Sequence, residues 1–173
     1  MSQKLDKNFF KRDCLDVAPD LVGKLLCRKF DDGSIEKVRI TETEAYRGEE
    51  DKGCHASKGR TPRTELLYGE AGIIYVYLCY GMHWLMNVIT GEKDVPQGVL
   101  LRAGENFGGP AKLTKKLQIN KAQNGCPIYG NDTVWIEDDG YIPEISTAPR
   151  VGIDYAGEYW RDIEWRFIDL SKP

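Results

Sequence analysis

The segment "RITETEAYRG" (residues 39–48) decides how the rest of the chain is read. Side chains of a β-strand alternate between two faces with a period of two. On a regular strand Val38, Ile40, Glu42, Glu44 and Tyr46 therefore share one face. An apolar face turns acidic and ends on an aromatic ring. Same-face neighbours stand roughly 6–7 Å apart, so Glu42 and Glu44 lie close without touching. A carboxylate on such a face loses hydration, and its neighbour's negative charge raises its pKa further. That suits a general base working near neutral pH. A solvated edge strand, its glutamates paired with Arg39 or Lys37, fits the same pattern.

The flanking sequence supplies elements of both kinds. "DCLDVAPDLVGKLLCRKF" (13–30) opens with Asp13 as an N-cap. It sets Leu15, Ala18, Val22 and Leu25 at helical spacing, with Pro19 breaking or kinking the run. "GRTPRTELLYG" (59–69) predicts a short helix with Thr61 as cap and Pro62 at its first position. "GIIYVYLCYGMHWLMNVIT" (72–90) is the strongest hairpin signal, its strands meeting at a "YGM" turn where Gly81 can take a positive φ. "QGVLLRAGE" (97–105) reads as a strand buried at Val99 and Leu101. "GGPAKLTKKLQINK" (108–121) reads as a helix with Leu113 and Leu117 inward and Lys112, Lys115 and Lys116 outward. Short strands follow in "TVWIEDD" (133–139) and "IEWRFIDL" (163–170). No repeat or linker divides the chain. The expectation is one mixed α/β domain over residues 1–173, mainly antiparallel because hairpins outnumber crossovers.

Composition narrows the function classes. Hydrophobic content of 41% and charged content of 29% are ordinary for a globular domain. No apolar run reaches the roughly 18–20 residues of a membrane span, and the start lacks the apolar core of a signal peptide. The expected location is cytoplasmic, nucleoid-associated in a prokaryote. Five scattered cysteines with no C-x-x-C pair point to reduced thiols. Cys54-His55 has no second cluster to complete a metal site, so no metal is expected. A net charge of −3 argues on its face against nucleic acid. Its distribution argues otherwise: "GEED" (48–51) and "IEDDGYIPE" (136–144) are acidic, whereas "KGRTPR" (58–63) and "PAKLTKK" (110–116) are basic.

Aromatic residues add a second theme. Tyr75 and Tyr77 share one face of the first hairpin strand, a pattern that core packing also produces. Tyr80 and Met82 fall at the tip, and apolar wedges at hairpin tips can enter a minor groove and unstack a base step. Tyr46, Tyr77 and His55 are flat side chains of the kind that hold a base between two planes.

"ETEAY", "TPR", "YVYLCYGMHWLMNV", "VLLRA", "GPAKL", "INK" and "RVGIDYAGEYW" run in order over nearly the whole chain. Together they resemble the alkyladenine (3-methyladenine) DNA glycosylase family. The resemblance implies a monofunctional glycosylase without a cofactor. It would flip a damaged purine from double-stranded DNA and hydrolyse its N-glycosidic bond for base excision repair. It also implies a compact domain with a curved sheet, peripheral helices and a protruding β-hairpin, expected to act as a monomer.

Carried over by position, Glu44 is the residue that activates water, and Arg102 matches an arginine near the flipped nucleotide. Tyr46, His55, Tyr77 and Asn87 match the base pocket, and Tyr80 with Met82 the wedge. Arg60, Arg63, Lys112, Lys115 and Lys116 would meet phosphates. Glu42 falls to a supporting role. Between Arg102 and Gly108 the chain is short where longer relatives carry an insertion, and it ends early at "RFIDLSKP". Two other classes share these residues: a non-catalytic damage-binding module, and a nucleoside hydrolase using Glu42 and Glu44 as a carboxylate pair.

Overall fold

A computed structural model describes residues 1–172. Its elements run β1 (Gln3–Lys4), α1 (Lys7–Phe10), α2 (Cys14–Leu21), β2 (Leu25–Lys29), β3 (Ile35–Arg47), β4 (Ile74–Cys79) and β5 (His83–Ile89). They continue with β6 (Gln97–Gly104), α3 (Pro110–Lys116), β7 (Val134–Asp138), β8 (Ile145–Ala148), α4 (Glu158–Asp162) and β9 (Arg166–Asp169). The sheet has nine strands, ordered β1-β7-β2-β3-β6-β5-β4, with β9 added to β3 and β8 to β9. Every pairing between named strands is antiparallel, and the helices lie at the periphery of an open sheet. This is the α+β architecture expected.

The long strand β3 is the seam. One of its edges pairs with β2 from Ile35 to Arg39 and then with β9 from Glu42 to Glu44; β6 lies along the other. Two register shifts interrupt the β3–β6 ladder. Thr41 is the extra residue on β3, and Arg102 is the extra residue on β6. A bulge inserts one unpaired residue and reverses which side chains face which way beyond it.

The single face expected for Val38, Ile40, Glu42, Glu44 and Tyr46 is therefore split. Val38 and Ile40 sit in the main core, and past the bulge Ala45 joins them there while Thr43 Oγ1 donates to Ala18 O of α2 at 2.8 Å. Glu44 and Tyr46 open instead onto a cavity on the opposite side. The strand does not turn an apolar face acidic; the bulge exchanges the faces.

Three local expectations also change. Helix α2 ends at Leu21 and buries Cys14, Val17, Ala18 and Leu21, a face offset from Leu15, Ala18, Val22 and Leu25. Pro19 lies within it near the C-terminal end, and Gly23 turns the chain at φ +89° so that its N–H reaches Ile40 O at 2.7 Å. Leu25 begins a strand. In place of a helix capped by Thr61, only Glu65–Tyr68 forms a 3-10 turn, behind Thr64. The buried Thr64 hydroxyl bonds Gly59 O and the Thr61 N–H, which folds "RTPRT" back on itself.

The other expected elements follow their sequence, and β1, α1, β8 and α4 are added by the structure. Asp13 caps α2 by accepting from Leu15 N–H at 3.0 Å. Val99, Leu101, Leu113 and Leu117 are fully buried in one core with Ile74, Met86 and Val88. Strand β6 packs so closely at Gly104 that a Cβ there would collide with the Val38 side chain of β3 and press on Leu113 of α3, a close approach that glycine permits. No helix among the described residues is long and apolar enough to cross a membrane.

Candidate active site

A cavity of about 700 Å³ opens where β3, β4, β5 and β6 meet the loop after β8. That volume lies within the range of small-molecule sites. Glu44 stands in its wall with its side chain fully buried. Oε2 accepts from the Tyr46 hydroxyl at 2.6 Å, and Oε1 accepts from the Val151 N–H at 2.8 Å. Burial pushes the Glu44 carboxyl above its ordinary range, against those two hydrogen bonds and the Arg102 charge. Burial and the neighbouring carboxylate hold the Tyr46 phenol far above its usual value. It therefore remains a donor to Glu44.

Arg102 is the bulged residue of β6, and the bulge aims it at the cavity. Its Nε lies 3.3 Å from Glu42 Oε1 and 3.5 Å from Glu44 Oε1. Neither contact has hydrogen-bond geometry, since Nε is buried without a bonded partner. The attraction is that of a charge between two carboxylates. Glu42 is fixed from the other side by Arg166 Nη1 of β9 at 2.7 Å. The alternative partners considered for these glutamates are engaged elsewhere, Arg39 with Asp139 and Lys37 with Glu137.

The aromatic residues gather on the opposite wall. The His55 and Tyr77 rings meet edge-on with centroids 4.6 Å apart, and His55 Nδ1 lies 3.0 Å from the Tyr75 hydroxyl. Burial, aided by Arg63 and Lys58, lowers the His55 pKa to about 4, which leaves a neutral ring at pH 7. Asn87 donates from Nδ2 to Tyr75 O at 3.1 Å, which fixes its amide and leaves Oδ1 free of that bond. Tyr75 lines the cavity as well and packs with Tyr68 and Ile89 in a second, smaller core.

The cavity thus collects Glu44, Tyr46, His55, Arg63, Tyr77, Tyr80, Asn87 and Arg102, all named from the sequence. Tyr80 and Met82 lie at the tip of the β4–β5 hairpin and are 88% and 68% exposed. Tyr80 at φ 50° and Gly81 at φ 69° are both left-handed, and Met82 N–H closes the turn on Cys79 O at 3.1 Å. A non-glycine residue in that region costs about 1–2 kcal/mol, so the tip holds Tyr80 outward under strain.

The basic residues are not equivalent. The Arg60 guanidinium is held by Glu65 at 2.6 Å and Asp94 at 2.9 Å, and Lys116 by Glu36 at 3.1 Å. Arg63, Lys112 and Lys115 are exposed and form no ion pair among the described residues. Pro110 and Ala111, at the start of α3, border the cavity beside Lys112.

Sequence reasoning missed the support beneath this site. Arg150 and Asp51 are both fully buried, joined by bonds of 2.7 and 2.8 Å. Asp51 also accepts from the Arg47 and Gly53 N–H groups, while Arg150 donates to Ala45 O. The one available signal was the "RVGIDYAGEYW" block, which carried the resemblance without an assigned role.

Known proteins place the chain. The profile of the methylpurine-DNA glycosylase (MPG) family matches residues 8–108 and 105–173, dividing at the short turn after β6. A protein of Psychrobacter cryohalolentis is 42% identical over 100% of this chain and 95% of its own length. One of Methanocella arvoryzae is 39% identical over 98% and 94%, and one of Natranaerobius thermophilus is 40% identical over 98% and 97%. All three bear the name "Putative 3-methyladenine DNA glycosylase". With matches of that extent, this chain belongs to the methylpurine-DNA glycosylase family.

Proposed function

We propose that this protein is a monofunctional glycosylase, one domain acting as a monomer, which flips damaged purines from duplex DNA and hydrolyses their glycosidic bond. The observation that carries the reading is the buried Glu44 beside Tyr46, opening onto the same cavity as Tyr77, His55 and Arg102. Alkylated purines are the primary substrates, and deaminated and etheno purines, equally flat, enter the same slot. The flipped base lies between Tyr46 and the Tyr77–His55 wall. Asn87 Oδ1 offers its edge an acceptor.

Cleavage develops oxocarbenium character on the sugar. Glu44 faces that charge and takes a proton from the attacking water as oxygen bonds to C1′. The electron pair of the C1′–N bond leaves with the purine. An alkylated purine is already cationic and departs without a general acid. Arg102 supports the ionised state of Glu44 and orients the water, and Glu42, itself held by Arg166, attracts Arg102 from the other side. The neutral His55 adds no positive charge to repel a cationic base. Tyr80 fills the gap left in the stack, Met82 beside it, and Arg60, Arg63, Lys112, Lys115 and Lys116 contact phosphates.

The test is single-turnover incubation with duplexes carrying one N7-methylguanine, hypoxanthine or ethenoadenine. Base release is expected from the unmodified protein. Glu44→Gln is expected to slow it by about 10²–10⁴-fold, the usual share of a general base, with duplex binding retained. Binding without release by the unmodified protein would leave a damage-binding module. Turnover of free nucleosides without duplex would favour a nucleoside hydrolase.

A further inference from the structure

Arg150 is bonded on nearly every side, only its buried Nε lacking a partner, yet it does not line the cavity. Its Nη1 donates to Asp51 Oδ2 and Ala45 O, and its Nη2 to Asp51 Oδ1 and Trp160 O. The guanidinium packs over two rings, 4.8 Å from the Tyr46 centroid and 5.1 Å from that of Trp165. Tyr46 lines the cavity and Arg150 does not, so the cation stands behind the ring that receives the base. Arg150 is also the cation that acts on the Tyr46 phenol.

A cation over one face of an aromatic ring draws π density toward itself. The opposite face is left less negative. The cavity face of Tyr46 is therefore a weaker attractor of positive charge than an isolated tyrosine would be.

We propose that Arg150 sets the charge preference of the cavity: polarising Tyr46 from behind, it reduces discrimination in favour of cationic purines and so admits neutral ones. The proposal rests on the reading of the cavity as a slot for a flipped purine. Arg150 is a positioning residue in this account, acting through Tyr46 without touching the substrate. A merely structural role would weaken binding of every base alike. Polarisation alters the ratio between a charged base and a neutral one.

Binding is measured with duplexes carrying one 2′-fluoro nucleotide, whose fluorine disfavours the oxocarbenium ion and so prevents cleavage. The base is either cationic N7-methylguanine or neutral 7-methyl-7-deazaguanine, which has the same outline. The Arg150→Met/Asp51→Leu double variant replaces a buried ion pair with apolar groups, a change proteins often tolerate. In it the ratio of cationic to neutral affinity is expected to rise about fivefold, the scale of one cation–π contact.

Arg150→Gln/Asp51→Asn, an amide pair that keeps hydrogen bonds, is expected to do the same and covers failure of the first to fold. An unchanged ratio in either folded variant makes the pair purely structural and overturns the proposal. If neither folds, the unmodified protein decides: a ratio below about tenfold supports a single effective cation–π face, and a larger one overturns it. An unmodified protein that binds neither duplex better than undamaged DNA overturns instead the reading of the cavity itself.

Discussion

The floor of the cavity and the tip of the β4–β5 hairpin both present polar and aromatic groups, on opposite structural terms. In the floor and the layer beneath it, Glu44, Asp51 and Arg150 are fully buried, and their partners come from β3, the following loop and the segment after β8. At the tip, Tyr80 and Met82 stand in solvent, and a Cβ on Gly81 would meet nothing within 4 Å. Buried polar groups need every partner in place. The floor is therefore cooperative, fixed by distant parts of the chain. The tip is held by one tight turn and by its own backbone dihedrals. Breaking the buried Arg150–Asp51 pair should damage the fold, and loss of a tip residue only binding.

The sharpest way to break that contrast is Arg150→Ala, which strands Asp51 in the interior. It is expected to destabilise the protein by about 3–5 kcal/mol, read by urea denaturation. A loss below about 1 kcal/mol, the level of an exposed pair, would mean the floor is not cooperative. Tyr80→Ala is expected to leave the urea midpoint unchanged. It should weaken binding to abasic-site duplex by about 1–3 kcal/mol, the scale of one base–aromatic stack. A shifted midpoint, or unchanged affinity, would erase the distinction between the regions.

The titrating groups give subtler tests. Glu44 has its folded pKa raised, so its contribution to stability is complete below the ordinary value of 4.5 and is lost as pH rises through the folded value. Glu44→Gln should therefore melt higher than the unmodified protein at pH 7, with the gap closing toward pH 4. His55 is shifted the other way. Its contribution is present above 6.5 and is lost as pH falls toward about 4. Thermal melts from pH 7 to 4 should show that decline, and His55→Gln should flatten it. Smallest of all, Lys112→Ala at the rim should lower the slope of log affinity against log salt by about one and leave base release unchanged at low salt.

Much of this molecule was legible because its signals are local. The hairpin could be read from β-branched and aromatic runs around Gly81, and α3 from Gly109-Pro110 followed by Leu113 and Leu117. Asp13 could be named as a cap because capping acts within a turn. Helical spacing cannot carry α2 as far as Leu25, because the left-handed turn at Gly23 ends the run. The helical pattern of "GRTPRTELLYG" yields only a 3-10 turn because the Thr64 hydroxyl competes successfully for the backbone groups around it. The candidate site residues came chiefly from the order of motifs along the chain. The support beneath them lay beyond reach: Arg150 and Asp51 are 99 residues apart and reveal their pairing only on folding.

By itself the sequence determined the long hairpin, helix α3, the mainly antiparallel sheet, the exposed aromatic tip and the family, since all of these are written in short-range pattern or motif order. The tertiary structure alone decided which way β3 faces. Its bulge at Thr41, with that at Arg102, arises from pairing two strands far apart in the chain. No periodicity within one strand encodes where its partner will slip. That slip sends Ala45 to the core and Glu44 to the cavity, and in doing so makes a carboxylate on a long strand a candidate for chemistry.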